Sequence, residues 1–453
     1  MPVIAALFGA VVAFTSAAPR PEQVHLAFHG DQSVMAVHWT SFEYDNVQVK
    51  YGTTSSDLRY TATDEGVKKW TSGTSVRYSH KAMMRNLQPS TTYYYQIGTR
   101  QFSFKTMAEN PQSYKVCVFG DLGLWHGNST ESLLRNGLAG KFDFIVHIGD
   151  IAYDLFTDNG ATGDKYMNQL EPLLSKVPYM VVAGNHEDDG KNFTDYQERF
   201  WMPDNGFGDS QFYSFDLGPL HWVGISSEYY GYYYTYGMDP VINQYNWLKN
   251  DLKLANANRA TTPWIITFQH RPFYCSNINS AECQAFENRL IRTGWLDMPG
   301  LEPLFLQYGV DMGFWGHEHS YERFYPIANR QFWNNSDAYN NPKAPVYVIT
   351  GSAGCHSGYA VFSDNPWPFS AARFNDYGYA ILTVANSTHL HFEQLSVEKN
   401  DSVIDEFWIV KDHKHVHSPS LRAQFPGWKF PKIKCPPKHV ACRMSLQQLN
   451  DEL

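Results

Sequence analysis

The sequence predicts a small β-sandwich followed by a larger α/β domain, on three observations. Short runs of alternating apolar and polar residues, separated by turns, fill residues 22–107, the period-two pattern of half-buried strands. From about residue 112 the runs become almost continuously apolar and are spaced by helical stretches, which marks strands covered on both faces. Five of these later runs end in a polar cluster, and four of the clusters open with glycine. In such sheets ligands gather at the carboxyl ends of the strands, and glycine lets the backbone turn sharply toward a bound ion.

In the first region the strands are expected at 24–28, 34–39, 47–51, 92–97 and 102–105. None carries a metal-binding or nucleophilic cluster, so this region reads as a packing or interaction module. In the second region, placed at 112–412, the apolar runs 116–119, 144–148, 179–183, 264–268 and 310–315 lead into the clusters. Further strands are expected at 346–350, 379–384 and 389–393. Residues 413–453 are rich in Pro and Lys without periodicity and read as a tail tied down by its own cysteines.

The chain has 453 residues, a formal net charge of −9 and no basic run, which argues against a nucleic-acid partner. Residues 1–18 are apolar and end in Thr15-Ser16-Ala17-Ala18. That run is shorter than a membrane span requires and reads as a secretory leader, residues 1–17, although no Lys or Arg precedes it. No second long apolar run follows, so no membrane partner is expected. Asn128, Asn192, Asn334, Asn386 and Asn400 each begin an N-x-Ser/Thr glycosylation signal. Six cysteines would then meet oxidising conditions. Cys275 with Cys283 and Cys435 with Cys442 are close enough for short bridges, and Cys117 reads as a buried thiol. The terminal Asn450-Asp451-Glu452-Leu453 is either an ordinary acidic end or a variant of an endoplasmic-reticulum retrieval signal.

The strand-end residues that can bind metal are Asp121, Asp150, Tyr153, Asn185, His270, His317 and His319. Taken singly, each has an everyday explanation as a turn or polar loop. Their recurrence after five apolar runs does not. Oxygen and imidazole donors suit Zn, Mn and Fe, and a phenolate favours Fe(III). Seven donors exceed the need of one ion, and a shared carboxylate would hold two close together. Such a pair activates water and polarises a phosphoryl oxygen.

In order, Gly120-Asp121-x-Gly123, Gly149-Asp150-x-x-Tyr153, Gly184-Asn185-His186-Glu187, the block ending in His270, and Gly316-His317-x-His319 resemble the signature blocks of the purple acid phosphatases within the calcineurin-like metallophosphoesterases. The resemblance implies a fibronectin III-like sandwich followed by an αββα metallophosphoesterase domain. It implies Fe(III) held by Asp121, Tyr153 and His319, and a divalent Zn, Fe or Mn ion held by Asn185, His270 and His317, with Asp150 bridging. It further implies hydrolysis of phosphate monoesters by a metal-bound hydroxide, with His186 contacting phosphate and either protonating the leaving oxygen or orienting Asn185 or a metal-bound water. Glu187 and Arg271 are expected to support these residues. Plant members carry two histidines shortly after the block of His270; residues 273–280 here have none, as in the animal large forms. His126 and His356 are set aside as loop residues, and the 229–234 tyrosine run as either groove or packing. A phosphodiesterase or nucleotide pyrophosphatase with the same metals, and a non-catalytic secreted binding glycoprotein, are the competing readings.

Overall fold

The computed structural model describes residues 20–278, 286–355, 357–362, 364, 366–417, 435, 442 and 443. The expected leader, most of the expected tail with its terminal tetrapeptide, Cys283 and His356 lie outside the described residues.

The first region forms eight strands: β1 (Glu22–Phe28), β2 (Met35–Ser41), β3 (Lys50–Gly52), β4 (Tyr60–Thr61), β5 (Thr63–Ser72), β6 (Ser75–Met84), β7 (Thr92–Ile97) and β8 (Arg100–Lys105). They pair in two antiparallel sheets, β1-β2-β6-β5 and β4-β3-β7-β8. Alternate residues such as Val24, Leu26, Val37, Trp39, Tyr95 and Ile97 fill the core. The third strand starts at Lys50 rather than Val47, and the hairpin β5–β6 has no counterpart in the expected pattern. β5 is an edge strand whose residues are mostly exposed, so it needs no apolar alternation.

The second region builds β9 (Tyr114–Phe119), β10 (Phe144–Ile148), β11 (Tyr179–Val182), β12 (Tyr213–Leu217), β13 (Leu220–Ile225) and β14 (Trp264–Gln269). There follow a short ribbon of β15 (Gly294–Trp295) and β16 (Met298–Pro299), then β17 (Met312–Trp315) and β18 (Tyr321–Phe324). A second ribbon of β19 (Ile327–Ala328) and β20 (Gln331–Phe332) precedes β21 (Val346–Thr350) and β22 (Ser370–Phe374). The chain finishes with β23 (Gly378–Asn386), β24 (His389–Ser396) and β25 (Ser402–Val410).

These strands form two sheets, ordered β11-β10-β9-β23-β24-β25 and β12-β13-β14-β17-β21-β18-β22. The five cluster-bearing strands are therefore divided, three in one sheet and two in the other. Helices α1 (Thr130–Leu138) and α2 (Ala161–Leu174) supply the crossovers between the parallel strands β9, β10 and β11. In the second sheet, side chains alternate between two cores. Ile266, Phe268, Phe314 and Val348 face the first sheet's cluster, while Ile265, Trp315, Tyr347 and Ile349 join a second cluster with helix residues such as Leu248 and Leu304. Burial on both faces is why these strands read as continuously apolar. Across the seam, the Phe314 and Phe392 rings stack with centroids 6.1 Å apart.

Cys435 and Cys442 are bonded, and Cys275 is in a disulfide whose expected partner, Cys283, is outside the described residues. Cys117 and Cys355 are buried free thiols.

The outer edge of the second sheet is fastened by an imidazole. His221 on β13 donates to Asp216 on β12 at 2.6 Å and to Asp251 on the helix Asp239–Ala257 at 2.9 Å. Burial opposes its protonation, but the two carboxylates prevail and lift its pKa to about 9. A folded-state pKa above the ordinary value of about 6.5 stabilises the fold below pH 6.5, and the gain disappears as pH rises through 9. His221→Gln should therefore cost on the order of 2 kcal/mol below pH 6.5, allowing for solvent screening at the half-exposed Asp216. The difference from wild type in urea midpoint should close above pH 9.

Candidate metal centre

Turns after the cluster-bearing strands are stitched to one another by backbone hydrogen bonds. Asp121 N donates to the Gly149 carbonyl at 3.0 Å, Gly123 N to Ile151 at 3.0 Å, and Gly316 N to His270 at 2.9 Å. The two sheets are joined where Gly120 N donates to the Thr350 carbonyl at 2.9 Å and His317 N donates to Asp121 Oδ2 at 3.0 Å, so their polar clusters share one floor. Asp121, Asp150, Tyr153 and His317 lie in the left-handed region, with φ of 60°, 50°, 54° and 69°. Such backbone costs about 1–3 kcal/mol per residue and persists where the surroundings dictate it. Glycine is required at Gly184 and Gly316 for a different reason, close approach. A Cβ on Gly184 would overlap the Asp150 carboxylate, and one on Gly316 would lie 2.7 Å from Asp121 Oδ2.

All seven expected ligands converge on this floor. Among the described residues, two groups present atoms within 4.8 Å of one another: Asp121, Asp150 and His319, and Asp150, His270 and His317. Asp150 belongs to both. Tyr153 OH lies 2.7 Å from His319 Nε2, and Asn185 Oδ1 lies 3.1 Å from His270 Nε2. His270 donates its Nδ1 proton to the Ile148 carbonyl at 2.9 Å, which leaves its lone pair on Nε2, turned inward. Burial, followed by the neighbouring His317, keeps that ring neutral by pushing its pKa well down.

Relatives and domain models agree with this geometry. The N-terminal domain of purple acid phosphatases matches residues 21–107, calcineurin-like phosphoesterase matches 114–321, and the iron/zinc purple acid phosphatase-like C-terminal domain matches 344–406. Acid phosphatase type 7 of Danio rerio is 41% identical, with 90% of this chain and 94% of that protein covered. The Mus musculus protein of the same name is 39% identical over 86% and 91%. This chain belongs to the purple acid phosphatases. Purple acid phosphatase 15 of Arabidopsis thaliana is more distant, at 28% identity over 86% and 85%. A solved purple acid phosphatase from yellow lupin (Lupinus luteus) seeds shares the fold at a TM-score of 0.75 and 23% identity, covering 90% of this chain and 78% of that one.

The donor set of this purple acid phosphatase fits cations. Asp121 Oδ1 is buried and accepts no hydrogen bond. Burial, then the neighbouring Asp121, raises the pKa of Asp150; burial, then Asp150, raises that of Glu187. Tyr153 is pushed well up by burial and by both aspartates. A surplus of buried acceptors and negative charge is what bound metal relieves.

Around these residues stand three supporting arrangements. Glu187 accepts backbone N–H groups from Asp150 and Gly184 at 2.8 Å and from Ile151 at 2.9 Å, tying the β10 turn to the β11 turn. Arg271 pairs with buried Glu228 at 3.0 Å and reaches His317 Nε2 at 3.3 Å. His186 donates from Nδ1 to Asp154 Oδ1 at 2.9 Å, while its backbone N–H donates to Asp150 Oδ1 at 3.0 Å. Burial works against protonation of His186, but the Asp154 bond and the charges of Asp150, Asp154 and Glu187 lift its pKa to about 9. Sequence reasoning gives no sign of Asp154 or Glu228. Asp154 follows Tyr153 directly, and only that adjacency could have singled it out.

The tyrosine run divides. Tyr229 and Tyr230 are core residues, whereas Tyr232 OH donates to the Asn185 carbonyl at 3.2 Å. His126 is exposed. Where plant members have a histidine pair, Ser276 and Asn277 turn inward to Glu322 and Ser320. All five expected glycosylation asparagines are exposed.

Glu187→Gln should lower stability by about 2–4 kcal/mol, because the amide replaces an acceptor with a donor that faces buried N–H groups. The loss should appear as a lower urea midpoint with an unchanged m-value.

Proposed function

We propose that this chain is a secreted acid phosphatase that hydrolyses phosphate monoesters at a binuclear Fe(III)–M(II) centre. The observation that carries the reading is Asp150, common to two adjacent groups of metal-binding side chains. Asp121, Tyr153 and His319 would hold Fe(III). Asn185, His270 and His317 would hold the divalent Zn, Fe or Mn ion, and Asp150 would touch both. When bound, such a pair supplies Lewis acidity, which acidifies water and withdraws charge from the phosphoryl group. The phenolate of Tyr153 favours the trivalent ion, and with it activity below neutral pH.

The remaining work falls to the chain's own residues. His186 stands beside Asn185 and Asp150 and protonates the leaving oxygen. Asp154 occupies Nδ1, which fixes the ring's direction and makes Nε2 the nitrogen that serves the substrate. With no histidine among residues 273–280, the acid role rests on His186. Arg271, held by Glu228, braces His317. A leader at 1–17, disulfides, and glycans on Asn128, Asn192, Asn334, Asn386 and Asn400 fit passage through the secretory pathway.

Elemental analysis of the purified protein, with an aryl phosphate assayed against its bis-ester, tests the reading. Iron plus one divalent ion and turnover of the monoester alone are expected; preferential turnover of the bis-ester would instead make the enzyme a phosphodiesterase. Asp150→Ala should lose both ions, and retention of two would sink the bridging role. Tyr153→Phe should keep metal but lose its visible absorption band.

A further inference from the structure

The β5–β6 hairpin grips the catalytic domain at two points that flank His186. Arg77 on β6 is 1% exposed. Its Nε and Nη2 bind Asp164 at 2.9 and 2.6 Å, and Nη2 also donates to the Asn159 carbonyl at 2.7 Å. Arg199, from the helix Thr194–Arg199, reaches the same carboxylate at 2.9 Å and donates to the Gly160 carbonyl at 2.8 Å. The Trp70 ring of β5 lies near both guanidiniums, at 5.5 and 5.2 Å. At the hairpin turn Thr74 N donates to Asn159 Oδ1 at 3.0 Å, and a Cβ on Gly160 would come within 2.8 Å of the Arg77 guanidinium carbon.

Residues 159–160 end the loop that begins at Tyr153 and carries Asp154. That loop is wound tight. Thr157 N donates to the Asp154 carbonyl at 3.0 Å, Gly160 N to Thr157 at 3.1 Å, and Gly163 N to Leu155 at 3.1 Å. Asp154, Asp158 and Asn159 all have left-handed backbone. Gly160 is thus linked through Thr157 to Asp154. The second grip lies on the other side of His186. Ser72 Oγ donates to Asp195 at 2.8 Å and Lys68 pairs with Glu198, while Asp195 N donates to Asp189, three residues past His186, at 3.2 Å.

We propose that the N-terminal sandwich is a positioning element of the active site, with Arg77 the positioning residue that fixes Asp154 and, through it, His186. This rests on the reading of His186 as the acid that protonates the leaving oxygen. Packing alone would be served as well by apolar contacts, since buried ion pairs carry a desolvation cost that such contacts avoid. Here each guanidinium, besides pairing with Asp164, donates to a carbonyl of one catalytic loop, Arg77 to Asn159 and Arg199 to Gly160.

The test uses leaving groups. An alkyl phosphate needs a proton on its departing oxygen, whereas p-nitrophenyl phosphate releases p-nitrophenolate, a stable anion that needs none. Arg77→Lys keeps the charge but loses the fork that spans Asp164 and Asn159. Asn159→Gly keeps the left-handed backbone and removes the acceptor for Thr74, at an exposed contact that the fold tolerates. In both variants kcat on the alkyl phosphate should fall about tenfold or more relative to kcat on the nitrophenyl ester, with metal content unchanged. Neither variant should add to the selectivity of His186→Ala, the control. Equal slowing of both substrates by His186→Ala would overturn the acid assignment. A selective His186→Ala beside unselective Arg77→Lys and Asn159→Gly would overturn the positioning role alone.

Discussion

Buried negative charge organises the catalytic domain. Asp121, Asp150 and Glu187 have exposures of 0%, 2% and 0% and lie where two sheets meet. Carboxylates in such surroundings persist only when donors or cations surround them. The chain provides donors from its own backbone, giving Glu187 three N–H groups, Asp150 that of His186 and Asp121 that of His317. Aiming so many N–H groups inward bends the strand ends into left-handed turns, and it sets the glycines that let turns from different strands touch. The same turns bring Asp121, Asp150, His270, His317 and His319 together in two groups that could hold metal. Strain, glycine placement and ligand convergence are thus one arrangement seen from three sides.

Two sheets make that arrangement possible. A single parallel sheet would spread five strand ends along a line, whereas packing β9–β11 against β14 and β17 closes them into a ring. The aromatic seam between the sheets, with Phe314 and Tyr321 of one sheet each stacked on Phe392 of the other at 6.1 Å, packs the two halves together. The distance between the two metal-binding groups therefore depends on side chains well below the site.

The ring is legible in the sequence because covered strands are continuously apolar and each ends abruptly in a polar cluster, most often at glycine. The division of those strands between two sheets is not legible, since periodicity describes a strand's faces and not its neighbours. The hairpin β5–β6 escapes for the opposite reason. Thr63–Ser72 is mostly exposed, and its buried residues, Trp70 and Ser72, face the catalytic domain. Nothing within the hairpin announces a partner about a hundred residues away. Asp154 is a similar case, a single carboxylate whose role comes from a turn that no spacing rule describes. The tyrosine run is mixed, core and site at once, and composition cannot separate Tyr230 from Tyr232.

Across the boundary between the regions, Asp164, Glu171 and Asp195 belong to the catalytic domain, while Arg77, Arg100 and Ser72 belong to the sandwich. Domains joined this way cannot be shuffled in evolution as independent cassettes. A sandwich borrowed from a distant relative would leave Glu171 without Arg100 and Asp164 with Arg199 alone, so both halves of the junction must change together. Covariation between the hairpin and the loop at 153–160 is the mark such a junction would leave on a lineage.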